Sequence, residues 1–201
     1  MTSSNDIIIK NCLKPEKVSA KTSVQKKVTL YLNDDSSKPV TAAGVLFYKK
    51  VGKNLMLLVI DNQGKYEDIG GKIDSNDTNI LTAVCREIEE ETNAKIKSEN
   101  VLERLRTSHH VYVPRSKYLI YLLEANDYEK ELKKEDFGDC EENNGSIRTI
   151  GWISREELTK TPIIQYKMNR RLKSKDLMDK LVSIENMLKL KNNNLFKNMK
   201  K

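Results

Sequence analysis

Apolar residues in this chain are gathered into short runs whose spacing predicts the secondary structure. Two β-prone runs, at 40–50 and 54–61, are separated by the turn-like sequence VGKN, and we expect them to form a hairpin. Further runs of the same kind predict strands at 27–33, 101–113, 117–126 and 147–154, the middle two paired around the turn at 114–116.

A different period marks two segments as helices. Between residues 79 and 92 the apolar residues recur three and four positions apart, which predicts one helix. From 164 to 190 they recur at helical intervals over a longer distance, so we expect a long amphipathic helix with a frayed end at 191–201. A short helix and an exposed loop are expected at 126–146, and Ser154 is expected to cap a helical turn. Strands interleaved with one central and one terminal helix predict an α/β layered fold with a mixed sheet.

Charge divides the chain into unequal parts. The 201 residues are 38% apolar and 32% charged, with a net charge of +7. From Lys160 to the end, twelve Lys or Arg residues face three acidic ones, a charge of +9 that leaves −2 for the first 159 residues. We therefore expect an N-terminal extension with one strand at 1–37, a central domain at 38–162, and a basic C-terminal helix and tail at 163–201.

The sequence also bears on the cellular compartment. No apolar run approaches the roughly 20 residues of a membrane helix, and the first residues lack the basic region and apolar stretch of a secretory signal. Cys12, Cys85 and Cys140 are far apart and in no metal-like spacing, so we expect reduced thiols and no structural zinc site. These observations predict a cytoplasmic protein that does not bind a membrane.

One short stretch combines two glycines with a group of acidic side chains. On a helix, Glu87, Glu90 and Glu91 lie on one face, where their like charges repel one another. A divalent cation removes this conflict, because Mg²⁺ and Mn²⁺ prefer oxygen ligands. Gly70 and Gly71 have no Cβ, so we expect unusual backbone dihedral angles and a close approach to a metal or a phosphate. The stretch therefore predicts a cradle for a metal diphosphate.

This stretch resembles the signature of the Nudix hydrolases, G-x5-E-x7-R-E-U-x-E-E-x-G-U, in which U is a bulky apolar residue. Gly71 matches the first glycine. The central part of the signature, R-E-U-x-E-E, is matched by Arg86, Glu87, Ile88, Glu90 and Glu91. The strands on either side also resemble those of the family, so the resemblance covers roughly residues 40 to 160.

The sequence departs from the signature at three points. Asp77 stands where the first Glu is expected, and its spacing to Arg86 shows that one residue is inserted before the helix. Asn93 replaces the last glycine, and Asn is the residue that, after glycine, best tolerates the left-handed conformation at a helix end. Ala94 is smaller than the usual bulky residue. The insertion leaves the role of Asp77 open but does not change the spacing of the three glutamates.

The resemblance implies a Nudix-like α/β/α sandwich with a mixed sheet, here with a long C-terminal amphipathic helix. It also implies cleavage of a nucleoside diphosphate linked to another group, with bound Mg²⁺ or Mn²⁺. By the same resemblance, Glu90 and Glu91 are the principal metal ligands, and Gly71 is a backbone carbonyl ligand. Glu87 is a further ligand or the base that activates water, and Arg86 orients the helix through ion pairs.

The family often adds a carboxylate from a late loop. Glu141 and Glu142 are the candidates here, with Glu142 included among the expected catalytic residues. A solvated acidic loop is the alternative interpretation. His109 and His110 are adjacent and face opposite ways on a strand, so we expect them to be ordinary strand residues rather than ligands of one ion.

Several residues are candidates for binding the substrate. The glycine pair Gly70–Gly71 and the adjoining Lys72 are expected at the phosphates. Arg115 and Lys117, in the turn between two predicted strands, could hold phosphates or be merely solvated. Tyr112 has the position of a base-stacking tyrosine found in some dinucleoside polyphosphate hydrolases of the family, with strand packing as the alternative.

The basic tail bears on the size of the substrate. Its apolar stripe is expected to pack on the domain or on a second copy of the chain, while its cations stay solvated and could attract RNA: Arg170, Arg171, Lys173, Lys175 and Lys180. A solvated charged face is the alternative. A basic arm beside a diphosphate site favours a large anionic substrate, so we expect a monomeric or homodimeric enzyme acting on capped RNA or a dinucleoside polyphosphate.

Three other functions stay open at this stage. The enzymatic alternatives are a diphosphoinositol polyphosphate phosphohydrolase and an oxidised-nucleotide pyrophosphatase. The alternative from another class is a catalytically silent module that binds nucleotide or RNA. Loss of the signature glutamates would mark such a module, and all three are present.

Overall fold

The computed structural model describes residues 28–143 and 145–198, with side chains as far as Leu190. Within these residues, the strands are β1 (Leu30–Tyr31), β2 (Pro39–Val40), β3 (Ala42–Val51), β4 (Asn54–Asn62), β5 (Lys65–Glu67), β6 (Ile69–Lys72), β7 (His109–Val113), β8 (Tyr118–Glu124) and β9 (Thr149–Ser154). The helices are α1 (Ile80–Glu91), α2 (Ser98–Thr107), α3 (Asp127–Glu131), α4 (Arg155–Lys160), α5 (Pro162–Lys167) and α6 (Lys175–Asn198). Short 3-10 helices cover Leu32–Asp34, Pro114–Ser116, Lys134–Phe137 and Arg170–Lys173.

The described strands form a mixed sheet around β3. β3 pairs antiparallel with β4 and β6 and parallel with β8, and β9 lies against the far side of β4. The predicted hairpin is the β3–β4 pair, in which Val51 faces Asn54 across the turn. The expected α/β fold with a mixed sheet is therefore confirmed.

Alternate side chains of β3 enter two separate cores. Val45 and Phe47 point to the core that contains Ile88 of α1. Leu46 belongs to the opposite core, which contains Leu181 of α6. Because successive residues of a strand face opposite sides, one sheet with helices on both faces produces the α/β/α sandwich implied by the sequence.

The strand predicted at 101–113 is wrong over its first part. Residues 98–107 form α2, and only His109–Val113 is a strand. Val101 and Leu105 are both buried and lie four positions apart, which is the spacing of one helix face. The spacing of apolar residues over so short a segment did not distinguish a helix from a strand.

The long C-terminal helix is confirmed, but its predicted start at residue 164 is wrong. The chain forms α5, leaves helical geometry at Met168, makes a 3-10 turn, and begins α6 only at Lys175. Ser174 ends the 3-10 helix in an extended conformation, and its Oγ accepts a hydrogen bond of 3.2 Å from the Leu177 amide. Beyond this break α6 continues to Asn198, where fraying was expected.

Further expectations concern the N-terminal strand, the cysteines and membrane-spanning helices. The strand predicted at 27–33 is reduced to Leu30–Tyr31 and a 3-10 turn, and residues 1–27 lie outside the described part. Cys85 is a buried free thiol, as expected, whereas Cys140 is disulfide-bonded, which contradicts the expectation for that residue. Cys12 lies outside the described residues. Among the described helices, none has the length and apolar character needed to cross a membrane.

Candidate active site

The helix that carries the acidic side chains begins at a well-defined cap. The Asn79 side chain accepts a hydrogen bond from the Thr82 amide at 3.0 Å, and the Thr82 hydroxyl accepts one from the Asn79 amide at 3.1 Å. This reciprocal cap fixes where α1 starts, as predicted from the sequence. Val84 and Ile88 are fully buried against the sheet, so the neighbouring face of α1 is turned towards β6.

The first glycine of the signature is in direct contact with this helix. A Cβ added to Gly71 would lie 2.6 Å from both the carboxylate carbon and Oε1 of Glu87. Gly71 lies within β6 and does not have a positive φ angle. The expectation of unusual dihedral angles at the glycine pair is therefore wrong, and Gly71 is needed because any side chain would collide with Glu87.

Arg86 connects the loop before α1 with two of its carboxylates. Its guanidinium donates to both oxygens of Asp77, at 3.2 and 2.9 Å. It also donates to Glu87 at 2.8 Å and to Glu90 at 2.9 Å, and to the carbonyl of Lys72 at 2.8 Å. The additional residue lies in the loop between β6 and α1, and Asp77 still binds Arg86. The role of Asp77, open from the sequence, is to fix the arginine that orients the carboxylates.

Two of the acidic side chains are held in an environment that disfavours their charge. The pKa of Glu87 is raised to about 7, chiefly by burial and to a smaller extent by the charges of Glu90 and Glu141, while Arg86 opposes the rise. Burial likewise raises the pKa of Glu91 to about 7, with Glu141 as the next contribution and Arg148 opposing it. Burial outweighs the ion pairs because removing a carboxylate from water costs more than one partly buried partner restores. Both carboxyl groups are therefore protonated more readily than a glutamate in water.

The late loop, which contains Glu141 and Glu142, is bound to the end of α1 by the side chain of Asn93. The Asn93 amide group donates to the carbonyl oxygens of Phe137, at 2.8 Å, and Cys140, at 2.9 Å. Its Oδ1 accepts a hydrogen bond of 2.9 Å from the Glu142 amide. Asn93 adopts a φ angle of 48°, the left-handed conformation expected at this position. A glycine, the family residue, could take the same angle but could make none of these side-chain contacts.

A second side chain, which the sequence analysis missed, also holds this loop. Arg148 is 2% exposed and donates to the carbonyl of Phe137 at 3.3 Å and to that of Glu91. Its Nε lies 3.4 Å from the Glu91 carboxylate but makes no hydrogen bond. As a result Glu141 is buried close to Glu87 and Glu91, whereas the Glu142 side chain is exposed. Nothing in the spacing of the sequence identified Arg148.

Gly70 faces the side of the sheet opposite α1, where Tyr118 lies. A Cβ on Gly70 would meet the hydroxyl of Tyr118 at 2.6 Å, and that hydroxyl donates to Asp68 at 2.8 Å. Asp68 is fully buried and forms an ion pair with Arg171, which also lies 4.4 Å above the Tyr118 ring. Arg171 was expected to be solvated, and its burial corrects that expectation. The structure brings Gly71, but not Gly70, to the carboxylates.

The other predicted substrate-binding residues lie at the same end of the sheet. Lys72 ends β6 with an exposed side chain. The backbone carbonyl of Lys117 accepts a hydrogen bond of 2.9 Å from the amide of Thr41, the residue just before β3. Arg115 is exposed in the adjoining 3-10 turn. The Tyr112 hydroxyl donates to the Pro39 carbonyl at 2.8 Å, and its ring packs against the core, which agrees with the strand-packing alternative.

The carboxylates supply the oxygen atoms that hard divalent cations prefer. Within the described part of the chain, however, no three His, Cys, Asp or Glu side chains are arranged so that they could hold a metal ion by themselves. An arginine lies beside each of these carboxylates. Arg86 forms ion pairs with Glu87 and Glu90, and Arg148 lies 3.4 Å from Glu91. Mg²⁺ is commonly bound by one or two carboxylates together with water and substrate phosphates, and the residues fit an open site of this kind.

Comparisons with known proteins agree with this geometry. A family model described as the NUDIX domain matches residues 38–172. The sequence has no match among curated proteins.

The solved structures that match this chain are distant in sequence. A C. elegans Ap4A hydrolase binary complex is 20% identical, with 74% of this chain and 97% of that chain covered and a TM-score of 0.43. A mutT/nudix family protein from Listeria innocua is 17% identical, with coverages of 78% and 95% and a TM-score of 0.37. For Shewanella oneidensis NrtR complexed with a 27mer DNA, the identity is 15%, the coverages are 63% and 57%, and the TM-score is 0.34.

Similarities this distant do not transfer any ligand or substrate to this chain. The family match stands independently of them, since it covers more than half of the sequence and includes every signature residue. The chain therefore belongs to the Nudix family and is a Nudix-type pyrophosphohydrolase.

Proposed function

We propose that this protein uses Mg²⁺ or Mn²⁺ to cleave the diphosphate bridge of a nucleotide-containing substrate, and that capped RNA or a dinucleoside polyphosphate is the favoured substrate. Nudix hydrolases generally use divalent metal ions. The observation that carries the proposal is the packing of Glu87 against Gly71, which places the acidic face of α1 directly beside the backbone of β6. This proximity supports a site in which one cation would contact both carboxylate and backbone oxygens.

The expected ligands are Glu87, Glu90, Glu91 and the carbonyl of Gly71. When bound, a divalent cation lowers the pKa of a coordinated water and offsets charge on the phosphoryl oxygens. Arg86 keeps Glu87 and Glu90 together before the substrate arrives. Glu87 is either a further ligand of this cation or the base that accepts a proton from the attacking water.

The late-loop carboxylate of this proposal is Glu141. It is buried and close enough to raise the pKa of both Glu87 and Glu91. Glu142 has an exposed side chain and contributes its backbone amide to the contact with Asn93. We therefore assign the catalytic contribution of this loop to Glu141 and not to Glu142.

The cations at the end of the sheet support a substrate with several phosphates. Lys72, Arg115 and Lys117 have exposed side chains in adjoining segments, where they could contact the phosphates next to the cleaved bridge. A diphosphoinositol polyphosphate and an oxidised nucleotide remain the alternative substrates. We further propose a cytoplasmic location and a monomer or homodimer.

The proposal is tested by incubating the full chain with Mg²⁺ or Mn²⁺ and a set of candidate substrates. The set contains capped RNA, dinucleoside polyphosphates, inositol pyrophosphates, ADP-ribose and oxidised nucleotides, and mass spectrometry identifies the products. Glu90→Gln and Glu91→Gln should lower turnover by about two orders of magnitude. Glu103→Gln, on the exposed face of α2, is the control and should retain wild-type turnover. Near wild-type turnover in both site variants would refute the assignment.

A further inference from the structure

The positive charge of the C-terminal region is concentrated before α6. No acidic residue occurs between 160 and 174, where the basic residues are Lys160, Lys167, Arg170, Arg171 and Lys173. From 175 to 190, three lysines are matched by three acidic residues. The described side chains of α6 are therefore balanced in charge, and the polyanion surface expected on a long helix is displaced to the segment that precedes it.

The ion pairs agree with this distribution. On α6, Lys175 pairs with Asp179 at 2.6 Å and Lys189 with Glu185 at 3.1 Å. Arg171 is committed to the buried Asp68. The exposed cations of the preceding segment are consequently Lys160, Lys167, Arg170 and Lys173, of which Lys160 pairs with the exposed Glu156 at 2.6 Å.

One of these cations, Lys173, lines a groove with a volume of about 450 Å³. Its walls come from α4, α5, the segment that follows α5, and the first turn of α6: Leu158, Thr159, Pro162, Gln165, Tyr166, Met168, Lys173 and Met178. Most of these side chains are apolar or aromatic, a few are polar, and none of the described lining residues is a carboxylate. A mainly apolar cleft with few polar groups is typical of a site for a small organic group.

Tyr166 gives this groove its chemical character. The residue is 88% exposed, although its ring is large and mostly apolar. The Lys173 ammonium lies 3.5 Å from the backbone carbonyl of Tyr166, so a cation is held at the residue that carries the ring. An exposed aromatic ring beside cations is the arrangement by which proteins bind single-stranded nucleic acids, with bases stacked on the ring and phosphates on the cations.

We propose that the groove binds a nucleotide of a single-stranded RNA, with the base stacked on Tyr166 and the phosphates contacting Lys173 and Arg170. The Gln165 amide, which can donate and accept, is placed to meet the edge of a base. The choice of RNA as the source of the nucleotide rests on the proposed function, in which this site would hold the body of a capped RNA. Binding at the groove does not itself require hydrolysis.

The groove is separate from the carboxylates on α1, but its wall is attached to β5, the strand that precedes the glycine pair. Met168 and Leu172 pack in the core on the α6 face of the sheet, opposite α1. The Asn169 amide donates to the Tyr66 carbonyl at 2.9 Å, just before Asp68 and the glycine pair. A bound RNA chain would therefore contact the protein at a second position outside the hydrolytic site.

Point variants test this site better than removal of the tail. Leu172, Leu177 and Leu181 are almost fully buried, so deleting residues 164 to 201 would remove part of the core. Tyr166→Ala and Lys173→Ala change exposed side chains and should leave the melting temperature unchanged. Tyr128→Ala is the matched control, because Tyr128 is an exposed tyrosine, 58% accessible, on the distant α3.

The experiment measures the affinity of the full chain for three probes in EDTA, which prevents hydrolysis. The probes are an uncapped six-nucleotide RNA with a 5′-hydroxyl, AMP, and a polyphosphate of similar charge. We expect the RNA to bind most tightly, Tyr166→Ala to weaken it by about tenfold, and Tyr128→Ala to have no effect. Lys173→Ala should lower the slope of log affinity against log salt by about 0.7.

Two results would overturn the assignment. If the affinities of Tyr166→Ala and Lys173→Ala for the RNA match that of the wild type, the groove is not its site. If AMP or polyphosphate binds as tightly as the RNA, the ligand is a free nucleotide or a simple polyanion instead of an RNA chain. Both readings are independent of turnover, so loss of the proposed hydrolysis would not be mistaken for loss of RNA binding.

Discussion

The carboxylate of Glu87 occupies the space that a side chain at Gly71 would need. A Cβ at that position would lie 2.6 Å from the carboxylate carbon, so Gly71→Ala must displace Glu87. We expect turnover to fall by about 100-fold, since small displacements of catalytic groups have effects of this size. Gly151→Ala is the matched control in β9, because nothing lies within 4 Å of its added Cβ. Equal turnover in the two variants would show that Glu87 does not need its observed position.

Asp77 should be required for the arrangement of the carboxylates on α1. Asp77→Asn replaces one of the two carboxylate oxygens that accept hydrogen bonds from Arg86. Arg86 in turn binds Glu87 and Glu90. We expect the free energy of unfolding to fall by about 1–3 kcal/mol and turnover to fall by about tenfold. Chemical denaturation and steady-state kinetics measure the two effects. Asp127→Asn, at a fully exposed side chain on α3, should change neither, and equal losses in both variants would contradict the prediction.

Asn93 should act on the reaction through the late loop. Asn93→Gly keeps the left-handed backbone but loses three side-chain hydrogen bonds to residues 137, 140 and 142. Hydrogen exchange at the Glu142 amide should become faster, whereas amides of α2 serve as an internal control. If the loop acts by placing Glu141, Asn93→Gly should lower turnover in the wild-type background but not further in Glu141→Gln. Additive effects on turnover would contradict this mechanism.

Stability of the metal-free protein should fall as the pH rises from 4.5 to about 7. Burial raises the pKa of Glu87 and of Glu91 from 4.5 to about 7 in the folded protein. Between these values the folded chain binds more protons than the unfolded chain, so its free energy of unfolding decreases with increasing pH. The combined effect is on the order of a few kcal/mol.

Melting temperatures in EDTA at several pH values measure this dependence. Glu87→Gln and Glu91→Gln should each flatten the curve between pH 4.5 and 7, because a glutamine cannot titrate. Added Mg²⁺ or Mn²⁺ should stabilise the protein more at the upper end of this range, where its carboxylates are ionised. A pH dependence identical to wild type in both variants would show that other groups cause it.

The ion pair of Arg171 with Asp68 should be a major contribution to stability. Arg171→Met would leave the fully buried Asp68 carboxylate without its cation, and we expect a loss of about 3–5 kcal/mol. Tyr118→Phe removes only one hydrogen bond to Asp68 and should cost about 1–2 kcal/mol. Arg170→Met, at the exposed neighbouring arginine, should have almost no effect in the same denaturation experiment. Similar losses at both arginines would contradict the structural assignment.

Local patterns were sufficient for the elements that depend on neighbours in sequence. The extent of α1 follows from the helical spacing of its apolar residues, and its two faces follow from the same spacing. The β3–β4 hairpin likewise needs only two β-prone runs and a short turn. The same local signal was ambiguous at 98–107, where a short apolar pattern read as a strand is in fact α2.

The sequence by itself determined the family, the mixed α/β fold and the common face of the three glutamates, because these depend on spacing and on a recognisable motif. Tertiary structure alone decided what each residue touches. It placed Arg171 in a buried ion pair, Asn93 and Arg148 on the late loop, and Gly71 against Glu87. These contacts join residues that are far apart along the chain, and only the packing of the two helical layers on the sheet brings them within bonding distance.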